Sequence, residues 1–288
     1  MPPMSVVLPS LWTEQNESCE KMRYIIDHDL HIHSNLSSCS NDTEQTPENI
    51  LKYAKENGLK QICLTNHFWD ENVKGESGWY APQNFKHISK AKPLPQAEGI
   101  EFLFGAETEL NLNLTVGMGK DRYDEFDFFI IPTTHLHMVS YTEHAVNLET
   151  PQKRAEVWVK RLDAVLNMDL PFHKIGIAHL ACPLIAPTRE LYLETLNAIP
   201  EREMLALFAG CAEKGVGIEL NSYDMKYEAS EQDTVMRMFS LAKEQGCKFY
   251  LGSDAHARPN GKELLKRFNN AIDYLGLEEN DKFILRSK

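Results

Sequence analysis

The strongest constraint on the fold is an alternation of short apolar segments with helical patterns, repeated about seven times. The apolar segments are almost continuously hydrophobic, which is typical of parallel strands that are covered on both faces. The predicted strands are residues 24–27, 61–64, 102–106, 128–131, 175–178, 216–220 and 249–251. Strands of this kind, joined by helices, predict a mixed α/β protein with a parallel sheet.

Helix start and stop signals lie between most of these strands. The predicted starts are Thr46-Pro47, Thr150-Pro151 ahead of a helix that reaches about Met168, Thr188 ahead of residues 189–198, and Ser230 with Asp233 as a capping box ahead of residues 231–245. Threonine or serine caps the free backbone N–H groups of a first turn, and proline fits its first position. Gly58, Gly215 and Gly246 are placed to end helices.

Strand–helix repetition over 288 residues predicts one β/α barrel, similar to a TIM barrel, and a doubly wound sheet is the second choice. No repeat, low-complexity tract or linker divides the chain, so residues 1–288 are predicted to form a single domain. Residues 68–99 are the exception, because they are rich in aromatic residues and proline without clear periodicity. We interpret them as an insertion or lid over the catalytic face; a purely decorative surface loop is the alternative.

The histidines are placed at the ends of the predicted strands. Six of the eleven follow a strand end, namely His31, His33, His67, His135, His179 and His256. Glu107 and Asp254 follow strand ends in the same way. All strand ends of a parallel barrel open on one face, so these side chains are expected to converge. Imidazole and carboxylate together favour zinc, manganese or iron over magnesium or calcium.

Two short motifs strengthen this prediction. His31-Ile32-His33 places two imidazoles on the same side of a strand, and Asp254-Ala255-His256 repeats the spacing at the other end of the barrel. His137, two residues after His135, either replaces that ligand or supports it. The other histidines, His28, His87, His144 and His173, are interpreted as surface or structural residues.

Several segments together resemble the PHP family, named for its polymerase and histidinol-phosphatase members. They are Asp29-Leu30-His31-Ile32-His33, Leu64-Thr65-Asn66-His67, Gly105-Ala106-Glu107, Thr134-His135, Ile177-Ala178-His179 and Gly252-Ser253-Asp254-Ala255-His256. The resemblance implies a distorted seven-stranded barrel with two or three divalent metals. It also implies a first metal on His31, His33, Glu107 and Asp254, a second on Glu107, His135 and His179, and a third on His67 and His256.

The sequence departs from the family pattern at two positions. Asn66 replaces an aspartate that many members carry, which we interpret as a change outside the metal ligands. Cys39 stands where a ligand of the third metal is usual. Three interpretations stay open: Cys39 is a thiolate ligand, Asp42 reaches in instead, or the third site is weak and two metals suffice.

The predicted reaction is hydrolysis of a small phosphate ester by a hydroxide shared between two metals, with Glu107 and Asp254 in the reacting centre. His137 is the candidate that protonates the leaving group. Arg258 and Arg189 are candidate phosphate-binding cations, and Trp79 is a candidate for substrate contact. An amidohydrolase that cleaves C–N or C–O bonds is the alternative. Many amidohydrolases bridge two metals with a modified lysine, so the phosphoesterase hypothesis predicts that no lysine contacts the metals. A metal-stabilised accessory module without activity is the third hypothesis.

Charge and composition exclude other classes. The net charge is −12, from 42 acidic and 30 basic residues, which argues against a nucleic-acid-binding surface. No apolar segment approaches the roughly 20 residues that span a bilayer, and residues 1–11 lack signal-peptide features. We therefore expect a cytoplasmic protein without membrane contact, in which the six scattered cysteines are reduced thiols. The sequence does not indicate an oligomeric state.

Overall fold

A computed structural model describes residues 22–285, and these form a parallel sheet whose strands alternate with helices. Predictions that concern residues 1–11 or Cys19 lie outside the described residues. The strands are β1 (His28–Ile32), β2 (Gln61–Leu64), β3 (His67–Phe68), β4 (Glu101–Thr108), β5 (Phe128–Pro132), β6 (Ile175–Ala178), β7 (Gly217–Asn221) and β8 (Lys248–Gly252). Almost every strand residue is buried, as their continuous hydrophobicity predicts.

Strand order follows the chain, β1-β2-β4-β5-β6-β7-β8, and the short β3 pairs with the end of β4. Every pairing between these strands is parallel. The sheet curves into a nearly closed seven-stranded barrel with one unsealed seam, and it forms a single domain. A doubly wound sheet would reverse its strand order partway, so the alternative fold is excluded.

Side chains bridge the seam between β1 and β8. His28 Nε2 accepts a hydrogen bond from the backbone N–H of Leu251 (3.1 Å), and Asp29 Oδ1 accepts one from Ser253 (2.9 Å). At the rim, the Asp254 N–H donates to the carbonyl of His31 (2.7 Å). These hydrogen bonds hold the segment that contains His31 beside the segment that contains Asp254.

The predicted first strand, residues 24–27, is wrong by several positions. The strand is His28–Ile32, and all five of its residues are buried. Its polar sequence is a poor strand signal, but His28 and Asp29 are satisfied across the seam and therefore tolerate burial. His31 consequently lies inside a strand, and His33 directly follows it.

The helices are α1 (Pro47–Glu56), α2 (Phe85–Ile88), α3 (Pro151–Leu166), α4 (Arg189–Ala198), α5 (Glu201–Lys214), α6 (Gln232–Glu244) and α7 (Gly261–Leu275). The threonine caps before α1, α3 and α4 are confirmed, since each hydroxyl accepts a first-turn N–H. The capping box at Ser230 is wrong: α6 begins at Gln232, and the Glu231 side chain is occupied by Arg189. No helix between residues 22 and 285 has both the length and the apolar character for a transmembrane span.

The end of the barrel opposite the ligands is filled with apolar side chains. Phe128 and Tyr250 pack edge to face inside it, with ring centroids 5.3 Å apart. Phe283 and Leu285, from the C-terminal segment, join the same buried cluster and close this end. Open space for chemistry is therefore left at the carboxyl ends of the strands, as barrels of this kind arrange it.

Candidate metal centre

Glu107, near the end of β4, lies at the centre of the predicted ligands and is only 1% exposed. Its Oε2 atom faces one set of imidazoles. It lies 2.9 Å from His67 Nδ1, 3.3 Å from His33 Nε2 and 3.6 Å from His31 Nε2. One carboxylate oxygen of Glu107 thus faces the histidines at the ends of β1 and β3.

The other oxygen, Oε1, faces the opposite side. It lies 3.5 Å from His179 Nε2 and 4.0 Å from His135 Nε2. Asp254 divides its oxygens similarly, with Oδ1 3.3 Å from His31 Nε2 and Oδ2 3.6 Å from His179 Nε2. Both carboxylates therefore connect two groups of histidines.

Close ligand atoms form several overlapping groups of three. Within each group the atoms lie within 4.8 Å of one another: His31–His33–Glu107, Glu107–His135–His179, His31–His179–Asp254, His33–His67–His256 and His179–Cys182–Asp224. The structure thus brings together all eight histidine and carboxylate ligands that the sequence predicts. Glu107 belongs to two groups, as its predicted bridging position requires.

The centre fits metal ions because both oxygens of Glu107 are buried among histidine nitrogens without a hydrogen bond from any of the described residues. Burial alone would raise the pKa of Glu107, but the neighbouring His67 and His31 hold it well below the ordinary value. A buried, ionised carboxylate without hydrogen bonds is costly unless a cation compensates it. The nitrogen and oxygen donors around it suit a transition metal.

Three of the histidines have a buried carboxylate behind the ring, and we call them the carboxylate-backed group. The pairs are His31 Nδ1 with Glu219 Oε1 (2.6 Å), His135 Nδ1 with Glu109 Oε2 (2.8 Å) and His179 Nδ1 with Asp224 Oδ1 (3.7 Å). Sequence reasoning missed these acids. The sequence contains a signal for two of them. Glu219 interrupts an apolar strand, and Glu109 lies two residues after Glu107, a spacing that places both side chains on the same side of an extended segment.

The other three histidines lack a carboxylate behind the ring, and we call them the neutral-backed group: His33, His67 and His256. His33 Nδ1 lies 3.0 Å from the Ser37 hydroxyl, and His256 Nδ1 lies 2.9 Å from the Asp254 carbonyl. His67 turns its Nδ1 atom toward the cluster, 2.9 Å from Glu107 Oε2 but without hydrogen-bond geometry. Burial lowers the pKa of His67, and it lowers that of His256 to about 3.

Local backbone geometry supports the arrangement. His179 and Asp254 adopt positive φ angles of 62° and 52°, a conformation that is strained for residues other than glycine. Gly252 precedes Asp254, and a Cβ atom there would overlap the Glu219 carboxylate. Glycine is therefore required for Glu219 to reach His31.

Cys39, the departure from the family pattern, lines the cavity beside the cluster but belongs to none of the close ligand groups. Burial and the charges of Glu107 and Asp254 raise the pKa of its thiol to about 12. Asp42 does not line the cavity; its carboxylate accepts the Glu44 N–H (2.9 Å) in a local turn. Asn66 supports the loop behind the ligands, where its Oδ1 accepts from the Ser34 N–H (2.8 Å) and from the Ser37 hydroxyl.

A cavity of about 600 Å³ opens over the cluster. Trp79, from the segment 68–99 that the sequence predicts as an insertion, lines it, 40% exposed and with its ring centroid 5.0 Å from that of His67. Trp69 of the same segment is buried and packs against Tyr80 instead. His137 lies at the cavity, and burial and the charge of His135 lower its pKa to about 4.

The two predicted phosphate-binding arginines do not lie in this cavity. Arg258 is exposed and pairs with Glu56 of α1, with Nη2 2.7 Å from Oε2. Arg189 pairs with Glu231, with Nε 2.9 Å from Oε1, and its guanidinium lies over the Tyr192 ring. Both arginines are predicted to bind phosphate because they lie close in sequence to a metal ligand. Their ion pairs with glutamates hold the guanidinium groups outside the cavity.

Comparison with known proteins adds a family and a related fold. The model of the PHP domain family matches residues 29–277. No curated protein matches the chain. A histidinol phosphate phosphatase from Lactococcus lactis, crystallised with zinc, L-histidinol and phosphate, is similar in structure, with a TM-score of 0.60 and 17% identity over 89% of this chain and 98% of that one. A probable 2-pyrone-4,6-dicarboxylic acid hydrolase from Acinetobacter baumannii has a TM-score of 0.39 and 12% identity, covering 89% of this chain and 97% of that one.

Proposed function

Because the chain belongs to the PHP domain family, we propose that it is a metal-dependent hydrolase that cleaves a phosphate ester. The observation that carries the proposal is Glu107, a buried carboxylate with each oxygen directed at a different set of histidines. This is the arrangement expected of a ligand shared by two metals. The zinc and phosphate in the similar histidinol phosphate phosphatase support the same chemistry.

The residues that would hold the metals follow from the close ligand groups. His31, His33, Glu107 and Asp254 would hold one ion, and His135 and His179 would hold a second together with Glu107. Divalent ions such as zinc, manganese or iron supply water activation and charge neutralisation when bound. A third ion would depend on His67 and His256, with Cys39 beside them.

The protein's own groups position the reaction. Glu219 and Glu109 lie within hydrogen-bond distance of Nδ1 of His31 and His135, which fixes the ring nitrogen that faces the cluster. His179 Nδ1 lies 3.5 Å from Asn221 Nδ2 and 3.7 Å from Asp224 Oδ1, so its carboxylate acts from a longer distance. His137 is our candidate for contact with the leaving oxygen. A pKa near 4 keeps its ring neutral at pH 7, so it would act through its ring N–H rather than as an imidazolium.

The amidohydrolase alternative is less well supported. No lysine lines the cavity among the described residues, and Glu107 occupies the bridging place. The histidine after Asp254 also favours phosphoester chemistry. An accessory role without catalysis would leave this nearly complete set of ligands without a purpose.

The decisive experiment is hydrolysis by protein reconstituted with zinc, manganese or iron. We expect phosphate release from a panel of phosphate esters, loss of that activity in His31→Ala, and retention in a matched control, His173→Ala, which alters an exposed histidine outside the cavity. Metal content should fall only in His31→Ala. Absence of hydrolysis of any phosphate ester with all three metals would refute the proposal. Cleavage of amides alone would favour the amidohydrolase alternative.

A further inference from the structure

The cavity wall beyond the metal ligands is uncharged. Seven apolar or aromatic side chains dominate it: Trp79, Tyr80, Met138, Val139, Tyr141, Leu184 and Tyr223. No lysine or arginine lines the cavity among the described residues, and Glu107 and Asp254 are the only acidic residues that line it. Every formal charge available to a substrate here therefore belongs to the metal cluster.

This wall keeps large apolar surface in contact with solvent. Trp79, Val139 and Tyr223 are 40%, 49% and 41% exposed. Exposed aromatic and aliphatic groups that border a concave site are typical of ligand-binding surfaces. Trp79 also contacts His67 edge to face, so the apolar wall begins directly beside the cluster.

Nearby cations are directed away from the cavity. Lys226 lies over the Tyr223 ring, with Nζ 4.6 Å from the centroid, but its side chain lines a neighbouring cleft together with Glu228 and Glu231. Arg258 and Arg189 are paired with glutamates, as described above. The wall therefore offers no fixed positive charge to a second phosphate.

Two kinds of substrate are disfavoured by this chemistry. A second phosphate would lose hydration against apolar groups without gaining a cation, and an ammonium group would lose hydration without gaining a carboxylate. A neutral aromatic or aliphatic group would instead bury apolar surface against Trp79 and Leu184. An amino alcohol such as L-histidinol would meet no acidic partner on this wall.

On the basis of the phosphoesterase function proposed above, we infer that the substrate carries one phosphoryl group and an uncharged, apolar or aromatic organic group. The phosphoryl group lies at the cluster, and the organic group lies against the wall of Trp79, Val139 and Tyr223. Hydrolysis breaks the phosphorus–oxygen ester bond, water supplies the incoming oxygen, and the neutral alcohol takes up a proton as it leaves.

A matched series of esters tests this inference on the native, metal-reconstituted protein. The probes are 3-phenylpropyl phosphate, its 2-amino derivative, the N-acetylated form of that amine, and the bisphosphate of 3-phenylpropane-1,2-diol. We expect kcat/KM to be at least tenfold lower for the ammonium and bisphosphate compounds, and N-acetylation to restore the rate. The ammonium group makes the leaving oxygen less basic, so leaving-group chemistry alone predicts the opposite order.

A pair of variants adds a positional test. Val139→Asp places a carboxylate on the wall. It should lower the ratio of kcat/KM for the neutral ester to kcat/KM for the ammonium ester at least threefold. Val146→Asp changes an exposed valine outside the cavity and should leave that ratio unchanged. Equal or faster hydrolysis of the ammonium ester or bisphosphate by the native protein would overturn the inference alone. If the protein hydrolysed no phosphate ester at all, the proposed function itself would be overturned.

Discussion

The two groups of histidines in the site differ in what lies behind each ring. The carboxylate-backed group, His31, His135 and His179, contacts buried acids at 2.6, 2.8 and 3.7 Å. The neutral-backed group has at most a hydroxyl or a backbone carbonyl in that place. A carboxylate fixes the ring's tautomer and makes its free nitrogen a stronger ligand, which a neutral acceptor does less well.

The comparison suggests an order of metal affinity within one cluster. His31, His135 and His179 belong only to ligand groups that contain a carboxylate. His33 belongs both to the group with His31 and Glu107 and to the group with His67 and His256, and that last group contains no carboxylate. His256 is also the most solvent-accessible of these rings, at 30% side-chain exposure. We therefore expect two tightly held ions and a weaker third position.

The largest effect is expected for Glu107→Gln, which alters the residue that faces both groups of histidines. Loss of its charge should reduce kcat at least about 1000-fold, because the shared ligand and its compensation of metal charge disappear together. The measurement is kcat together with metal content per chain. Glu101→Gln, at the opposite end of the same strand, is the control and should keep both. Full metal content in Glu107→Gln would contradict the assignment of this residue as a shared ligand.

Glu219→Gln tests the carboxylate-backed group directly. It keeps the size of the side chain but removes the charge behind His31, so metal affinity should fall about 10- to 100-fold. Ser37→Ala removes the neutral partner of His33 and should lower affinity less than tenfold. Competition with a fluorescent chelator measures both. If the two variants weakened binding equally, the distinction between the two groups would be wrong.

The pH dependence of stability of the metal-free protein should separate the groups again. The folded pKa of His256, about 3, lies below the ordinary value of 6.5, so the unfolded chain binds more protons as pH falls below 6.5. His256 thus destabilises the fold on acidification between those values. The pKa of His31 is raised, despite the opposing effect of burial, mainly by Glu219; its stabilising contribution is complete below 6.5 and is lost as pH rises through the folded pKa.

We therefore expect His256→Gln to lose less stability than the native protein, by about 2 kcal/mol, when pH falls from about 6.5 to about 4.5. Urea unfolding of the metal-free protein at both pH values measures the difference. His173→Gln, at an exposed histidine, is the control and should behave as the native protein does. An identical acid dependence in native protein and His256→Gln would count against a neutral, buried ring.

The strand ends and the main ligands could be predicted because their signals are local. A buried parallel strand is a short hydrophobic run, and the residue after it must reach the carboxyl end of the barrel. The first strand cannot be located in this way, because its polar residues His28 and Asp29 are hydrogen-bonded to Leu251 and Ser253, more than 200 positions away. Nothing near His28 in the sequence indicates those partners.

The surroundings of the ligands were harder to predict for the same reason. Arg258 follows a ligand by two positions, but Glu56, 202 positions away, determines where its guanidinium lies. The cavity wall after β5, which includes Met138 and Val139, has no periodicity that would have indicated it. Contacts between distant segments decide such details, and a single sequence does not contain them as a pattern.

The smallest effect is expected at Cys39, the position that the sequence left with three interpretations. A thiol whose pKa is raised to about 12 is protonated at neutral pH unless a metal displaces the proton, and Cys39 is absent from every close ligand group. The carboxylate of Asp42 is held in its own turn, which favours the interpretation of a weak third site. Cys39→Ala should therefore change kcat less than threefold and leave two tightly bound metals, as measured by metal content after dialysis. Cys39→Asp should add the carboxylate that the neutral-backed group lacks and raise the affinity for a third ion. Loss of one tightly bound metal in Cys39→Ala would instead identify the thiolate as a ligand, and the neutral-backed group would then hold a metal more strongly than its contacts suggest.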